Sequence, residues 1–190
     1  MTRHGGFKQL VRGRARRTGE SYSTARANLR RRGAQADIDL VRRYAEPTVR
    51  RLRGADVILR EAVVPSLSRD QVALLSFWML FVHWEDGLSG LCRAHPHRMV
   101  DRGFWRMMVH GLHDHPPLLA IMARLHPQVQ EAAERAPTGT AYEWLEFLDG
   151  DEMGRLDHDF QKAIPGSLHR MARLIRSHPD RFGATEAGDR

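Results

Sequence analysis

The chain is expected to be all-α: a single helical bundle preceded by a basic helical hairpin. Three observations predict this. Apolar residues recur at intervals of three and four along most of its 190 residues. No run of four or more residues alternates apolar and polar in the strand manner. And 42% hydrophobic residues with four Trp and seven Phe supply one ordinary core.

Residues Phe7 to Arg17 and Tyr22 to Arg32 read as two short helices. Gly19 between them suits a left-handed position just past the first, and Ser21 suits the cap of the second. Phe7, Leu10, Val11, Ala15, Tyr22, Ala25 and Leu29 form a stripe too thin to fold unaided. Gly33 to Gln35 reads as a joint. Asp37 then caps a helix through Tyr44, and Pro47 opens another whose apolar face runs from Val49 to Val63. The expected division is a basic arm over residues 1–35, a bundle over 36–182 and a disordered tail over 183–190.

Ser68-Arg69-Asp70-Gln71 carries the capping-box pattern. The residues behind it, Val72 to Trp84, are apolar almost all round, which predicts a central buried helix. Gly87 and Gly90 break that helix. Asp101 caps the next, which presents Phe104, Trp105, Met108 and Leu112 at helical spacing. A further helix follows Pro116-Pro117, with Pro127 opening a new turn, and Ala136 to Thr140 reads as a surface loop. Two closing helices are expected, one over Tyr142 to Phe160 with an interruption at Asp149-Gly150, the other over Ser167 to Ser177.

Charge is distributed unevenly. Residues 1–60 hold 16 Lys and Arg against five Asp and Glu, a formal +11, whereas the remaining 130 residues hold 14 against 18 and sum to −4. A concentrated Arg field is the footprint of a polyanion partner. Arg12, Arg14, Arg16 and Arg17 on the first helix and Arg26, Arg30, Arg31 and Arg32 on the second are the expected phosphate contacts. Guanidinium suits that work because its planar fork donates two hydrogen bonds to one phosphate and stays charged. Small residues at Ala15, Gly19 and Ala25 partly match a helix-turn-helix. The competing reading is a merely solvated face, since Arg outnumbers Lys by 28 to 2 throughout the chain.

Phe147-Leu148-Asp149, Leu156-Asp157-His158-Asp159-Phe160 and Leu168, Met171, Leu174, Ile175, His178, Pro179 and Phe182 resemble the closing pattern of a bacterial domain family similar to DNA mimic protein 19. The resemblance covers about residues 66–182 and implies a helical domain. DNA mimicry requires a strongly acidic face. A body at −4 on a basic chain does not provide one, so only the fold is carried over.

Other chemistry finds no pattern. His95-Pro96-His97, His113-Asp114-His115 and Asp157-His158-Asp159 lack the spacing of a metal motif, and no metal or cofactor is expected. Ser89 in Gly87-Leu88-Ser89-Gly90-Leu91 has the glycine two residues before it that a hydrolase elbow needs, but not the one two residues after. Cys92 lies near His95 and His97 without an active-site signature. No phosphate-binding glycine loop occurs. No catalytic residue is assigned, and the protein is not expected to be an enzyme. A single cysteine, no apolar stretch after the basic residues of Met1 to Leu10, and a longest apolar run, Val72 to Val82, far short of a membrane span together predict a cytoplasmic protein. The expected partner is DNA or RNA, bound with little sequence specificity. The alternative is a protein-interaction module that engages a regulator through the bundle, the arm being incidental. The sequence is silent on oligomeric state.

Overall fold

The computed structural model describes residues 11–16, 18–54, 66–137 and 142–183, and every described element is helical. Residues 184–190 of the expected tail, residues 55–63 of the apolar face expected after Pro47, and most of the Ala136 to Thr140 loop lie outside the described residues, as do Phe7 and Leu10. Two compact units divide the chain, Met1–Asp39 and Leu40–Arg190.

In the first unit, helical residues 11–16 lead to Gly19, which takes φ +70° and donates its amide to the Ala15 carbonyl at 3.0 Å. Only glycine enters that region without strain. Ser21 accepts the Thr24 amide at 3.1 Å, so the predicted cap opens helix α1, Tyr22–Gly54. Val11 and Ala25 are fully buried.

Helix α1 differs from the expectation of separate pieces, because it runs unbroken through Gly33 and Pro47. The joint expected at Gly33–Gln35 is absent. Gly33 costs about 1 kcal/mol in a helix interior, which its strong helix-forming neighbours Arg30, Arg31, Arg32, Ala34 and Gln35 absorb. Val41, Ala45 and Thr48 are buried at i, i+4 and i+7 along one stripe of its second half.

The second unit is built around α2 (Arg69–Phe81). Its capping box closes as the sequence predicts: the Gln71 amide donates to Ser68 Oγ at 3.2 Å and the Ser68 amide to Gln71 Oε1 at 2.9 Å. Residues 71–77 are buried without exception, the signature of a helix enclosed on all sides. Helices α3 (Gly87–Ala94), α4 (Pro96–Met99), α5 (Arg102–Gly111) and α6 (Pro116–Arg135), a 3₁₀ turn (Glu143–Phe147), α7 (Gly150–Ser177) and α8 (Pro179–Phe182) follow. α2 packs on α5, α7 and α8; α7 also packs on α3 and α6. Asp101 caps α5 through the Gly103 amide at 2.8 Å. The segment at α8 is tied back to α2, because Gln71 Nε2 donates to the Gly183 carbonyl at 3.0 Å and Phe182 is buried.

Pro127, expected to open a new turn, sits within α6. The separate closing helices expected up to Phe160 and from Ser167 are one element, because α7 runs 28 residues through Pro165. A proline at 165 has no amide hydrogen for the Gln161 carbonyl four residues earlier. That carbonyl instead accepts the Trp84 indole N–H at 3.3 Å, so a side chain from the α2–α3 turn replaces the missing backbone bond. The interruption expected at Asp149-Gly150 is present, with Asp149 capping α7 through the Asp151 and Glu152 amides.

α2 and α5 cross at two small residues. A Cβ added to Gly111 would lie 2.6 Å from Ser76 Cβ and 2.9 Å from the Val72 carbonyl oxygen, with backbone leaving no room to relax. Gly111→Ala is therefore expected to destabilise the protein by about 2–3 kcal/mol, the usual cost of overpacking. Urea denaturation measures it, and a loss below about 0.5 kcal/mol would show that the crossing yields.

Candidate nucleic-acid interface

The eight arginines expected to face phosphate do not share one surface. Arg12 and Arg16 are exposed and stand one helical turn apart on the segment 11–16; Arg26 and Arg30 are exposed and stand one turn apart on α1. No carboxylate among the described residues pairs with these four. Arg14 is different. Its Nε and Nη2 donate to Glu20 Oε2 and Oε1 at 2.9 and 2.8 Å, a two-pronged pair that leaves little of the fork for a ligand. Hydrogen bonding from Arg14 holds the Glu20 carboxyl below its usual range, and the nearby charge of Arg32 lowers it further. Arg31 and Arg32, both exposed, step round the helix by about 100° each from Arg30 and so leave its face. The side chain of Arg17 lies outside the described residues.

The arm thus presents two guanidinium pairs and commits Arg14 to its own turn. Thr18 shapes that turn: its hydroxyl donates to the Arg14 carbonyl at 3.0 Å and accepts the Glu20 amide at 3.4 Å. Glu20 is placed to take Arg14 by this turn, and Asn28 on α1 also hydrogen-bonds its carboxylate.

The other polar candidates resolve into structure. Asp157 Oδ1 accepts the amides of Leu88 and Ser89 at 2.6 and 3.1 Å, and its Oδ2 accepts the Ser89 hydroxyl at 2.7 Å. Ser89 is therefore a cap partner on α3, whose own N-cap residue, Asp86, makes no side-chain cap bond. Gly87 takes φ +71°, and a Cβ there would stand 2.6 Å from Asp157 Oδ1, so the glycine is what lets the carboxylate reach the helix end. Asp159 and Glu152 bind Arg124 at 2.9 and 2.8 Å. Burial pushes the Cys92 thiol up to about 12, with Asp157 adding to the shift, which makes it unreactive. His83 and His95 meet edge to face at 5.2 Å, both half-buried, and desolvation lowers the pKa of each. Among the described residues no three His, Cys, Asp or Glu side chains gather as a metal site would require.

Sequence reasoning overlooked a second basic cluster. Arg69, Arg102 and Arg106 line a groove of about 900 Å³ where α2, α5 and α6 meet. The i, i+4 spacing of Arg102 and Arg106 was visible, but Arg69 and the α6 side chains join them only through tertiary packing. No helix among the described residues is long and apolar enough to cross a membrane.

No family model, curated protein or solved structure matches this chain.

Proposed function

We propose that the protein binds DNA or RNA through phosphate contacts made by its first unit, with little base readout. The observation that carries this reading is the pair of exposed i, i+4 arginine couples, Arg12 with Arg16 and Arg26 with Arg30, that no carboxylate among the described residues neutralises. Charge of one sign, left unpaired on helix faces, attracts a polyanion and releases its counterions. Arg14 serves instead to brace the turn through Glu20, and Arg31 and Arg32 add field rather than a shared face.

The fourfold variant R12A/R16A/R26A/R30A is expected to lose at least about 100-fold in affinity for duplex DNA or RNA at 50 mM salt, as a salt-dependent contact set of this size implies. A mobility-shift assay reads the loss. Arg14→Ala is expected to weaken binding far less while lowering thermal stability. Unchanged affinity in the fourfold variant would move the function to a protein partner of the bundle.

A further inference from the structure

The groove between α2, α5 and α6 is built unlike the arm. Arg102 and Arg106 lie one turn apart on α5, Arg69 opens α2, and all three are exposed with no ion pair among the described residues. No Asp or Glu is among the side chains that line it. Three uncompensated guanidinium groups around one depression favour an anion bearing more than one charge.

The floor is apolar and aromatic. Val109 is 54% exposed there, and the His126 ring leans on Trp105 at 4.4 Å between centroids. Trp105 is itself fixed, since its indole N–H donates to the Met99 carbonyl. Gln130, one turn beyond His126, also lines the groove, and its amide nitrogen is buried with no hydrogen-bond acceptor among the described residues. Buried amides without partners are uncommon, and this one stands beside a recess that a ligand oxygen would fill. The volume, about 900 Å³, falls within the range of sites for compact organic ligands.

We propose that this groove binds a phosphate ester attached to an aromatic ring, that is, a nucleotide, with the phosphate on Arg102, Arg106 and Arg69 and the ring on Val109 and His126. The residues that line the groove all belong to the second unit. The same chemistry has two sources, a free nucleotide or one residue of a nucleic-acid strand.

Isothermal titration of the full chain with adenosine 5′-monophosphate, adenosine, inorganic phosphate and a five-nucleotide single-stranded oligonucleotide tests it. The monophosphate is expected to bind more tightly than adenosine or phosphate, and R102A/R106A to weaken it at least about tenfold, because each guanidinium supplies a charge-assisted contact. R102K/R106K keeps the charge and is expected to lose only about threefold. The arm variant R12A/R16A/R26A/R30A is expected to leave monophosphate binding unchanged. Arg102- and Arg106-dependent binding that is tighter for the oligonucleotide assigns the phosphate to a strand; tighter binding of the monophosphate assigns it to a free nucleotide. Absence of binding by both ligands, or equal affinities in the wild type and in R102A/R106A with its thermal midpoint retained, overturns the proposal.

Discussion

Asp157→Ala is expected to lower the stability of the protein by about 3 kcal/mol. The carboxylate satisfies two amides at the start of α3 and the Ser89 hydroxyl, and it reaches them from α7, a different helix. Removing it orphans donors beside the fully buried Leu88. Each unsatisfied buried donor costs roughly 1–3 kcal/mol, and loss of a helix cap alone costs about 0.5–2 kcal/mol. Asp157→Asn retains one acceptor oxygen and is expected to lose about half as much. Ser89→Ala removes only the hydroxyl and is expected to cost about 1 kcal/mol. Urea denaturation of the three variants gives the ordering, and an alanine variant as stable as the wild type would show that water caps α3 equally well.

A second large effect is expected from acid, through His115. Its ring is 1% exposed, lies against Phe77 at 5.3 Å, and has no hydrogen-bond partner on either nitrogen among the described residues. Burial pushes its pKa down to about 4, with the charges of Arg170 and His113 acting in the same direction and Asp114 opposing them. A folded-state value below the unfolded value of about 6.5 means that the unfolded chain takes up the proton first. The stability is therefore whole above about pH 6.5 and falls as pH drops toward 4, by about 3 kcal/mol over that window. His83 and His95, also lowered, add smaller losses of the same sign. In His115→Leu the site no longer titrates, so the difference in stability between variant and wild type is expected to widen in the variant's favour from pH 7 to pH 4. Parallel pH profiles for the two proteins would contradict this account of His115.

Much of the local structure was legible because it is written in adjacent residues. Ser68 with Gln71, Asp101 with Gly103, Ser21 with Thr24, and Gly19 at positive φ are each signalled within four positions, and each forms as expected. The enclosed helix α2 was legible from its continuous apolar composition. Prolines misled, since Pro47 and Pro127 were read as opening new helices or turns and both lie inside helices, and the gap left between Phe160 and Ser167 is helical through Pro165. At Pro165 the cost is met by the Trp84 indole, 77 positions in sequence from the Gln161 carbonyl it reaches, which no local signal announces. Distance in sequence also hid the Asp157 cap and the meeting of Arg69 with Arg102 and Arg106. At the arm the arginines themselves were legible, but their division between exposed pairs and the Glu20 brace depends on a turn whose side-chain geometry composition does not encode.

If the unpaired guanidinium groups of the first unit bind polyanion phosphate, as proposed, duplex binding must weaken steeply with salt. Four phosphate contacts release enough counterion to give a slope of about −3.6 for log K against log salt, a loss of about 150-fold in affinity between 50 and 200 mM salt. The slope is expected to fall nearly to zero in R12A/R16A/R26A/R30A. A wild-type affinity that hardly changes with salt, or a steep slope that survives in the fourfold variant, would contradict the claim.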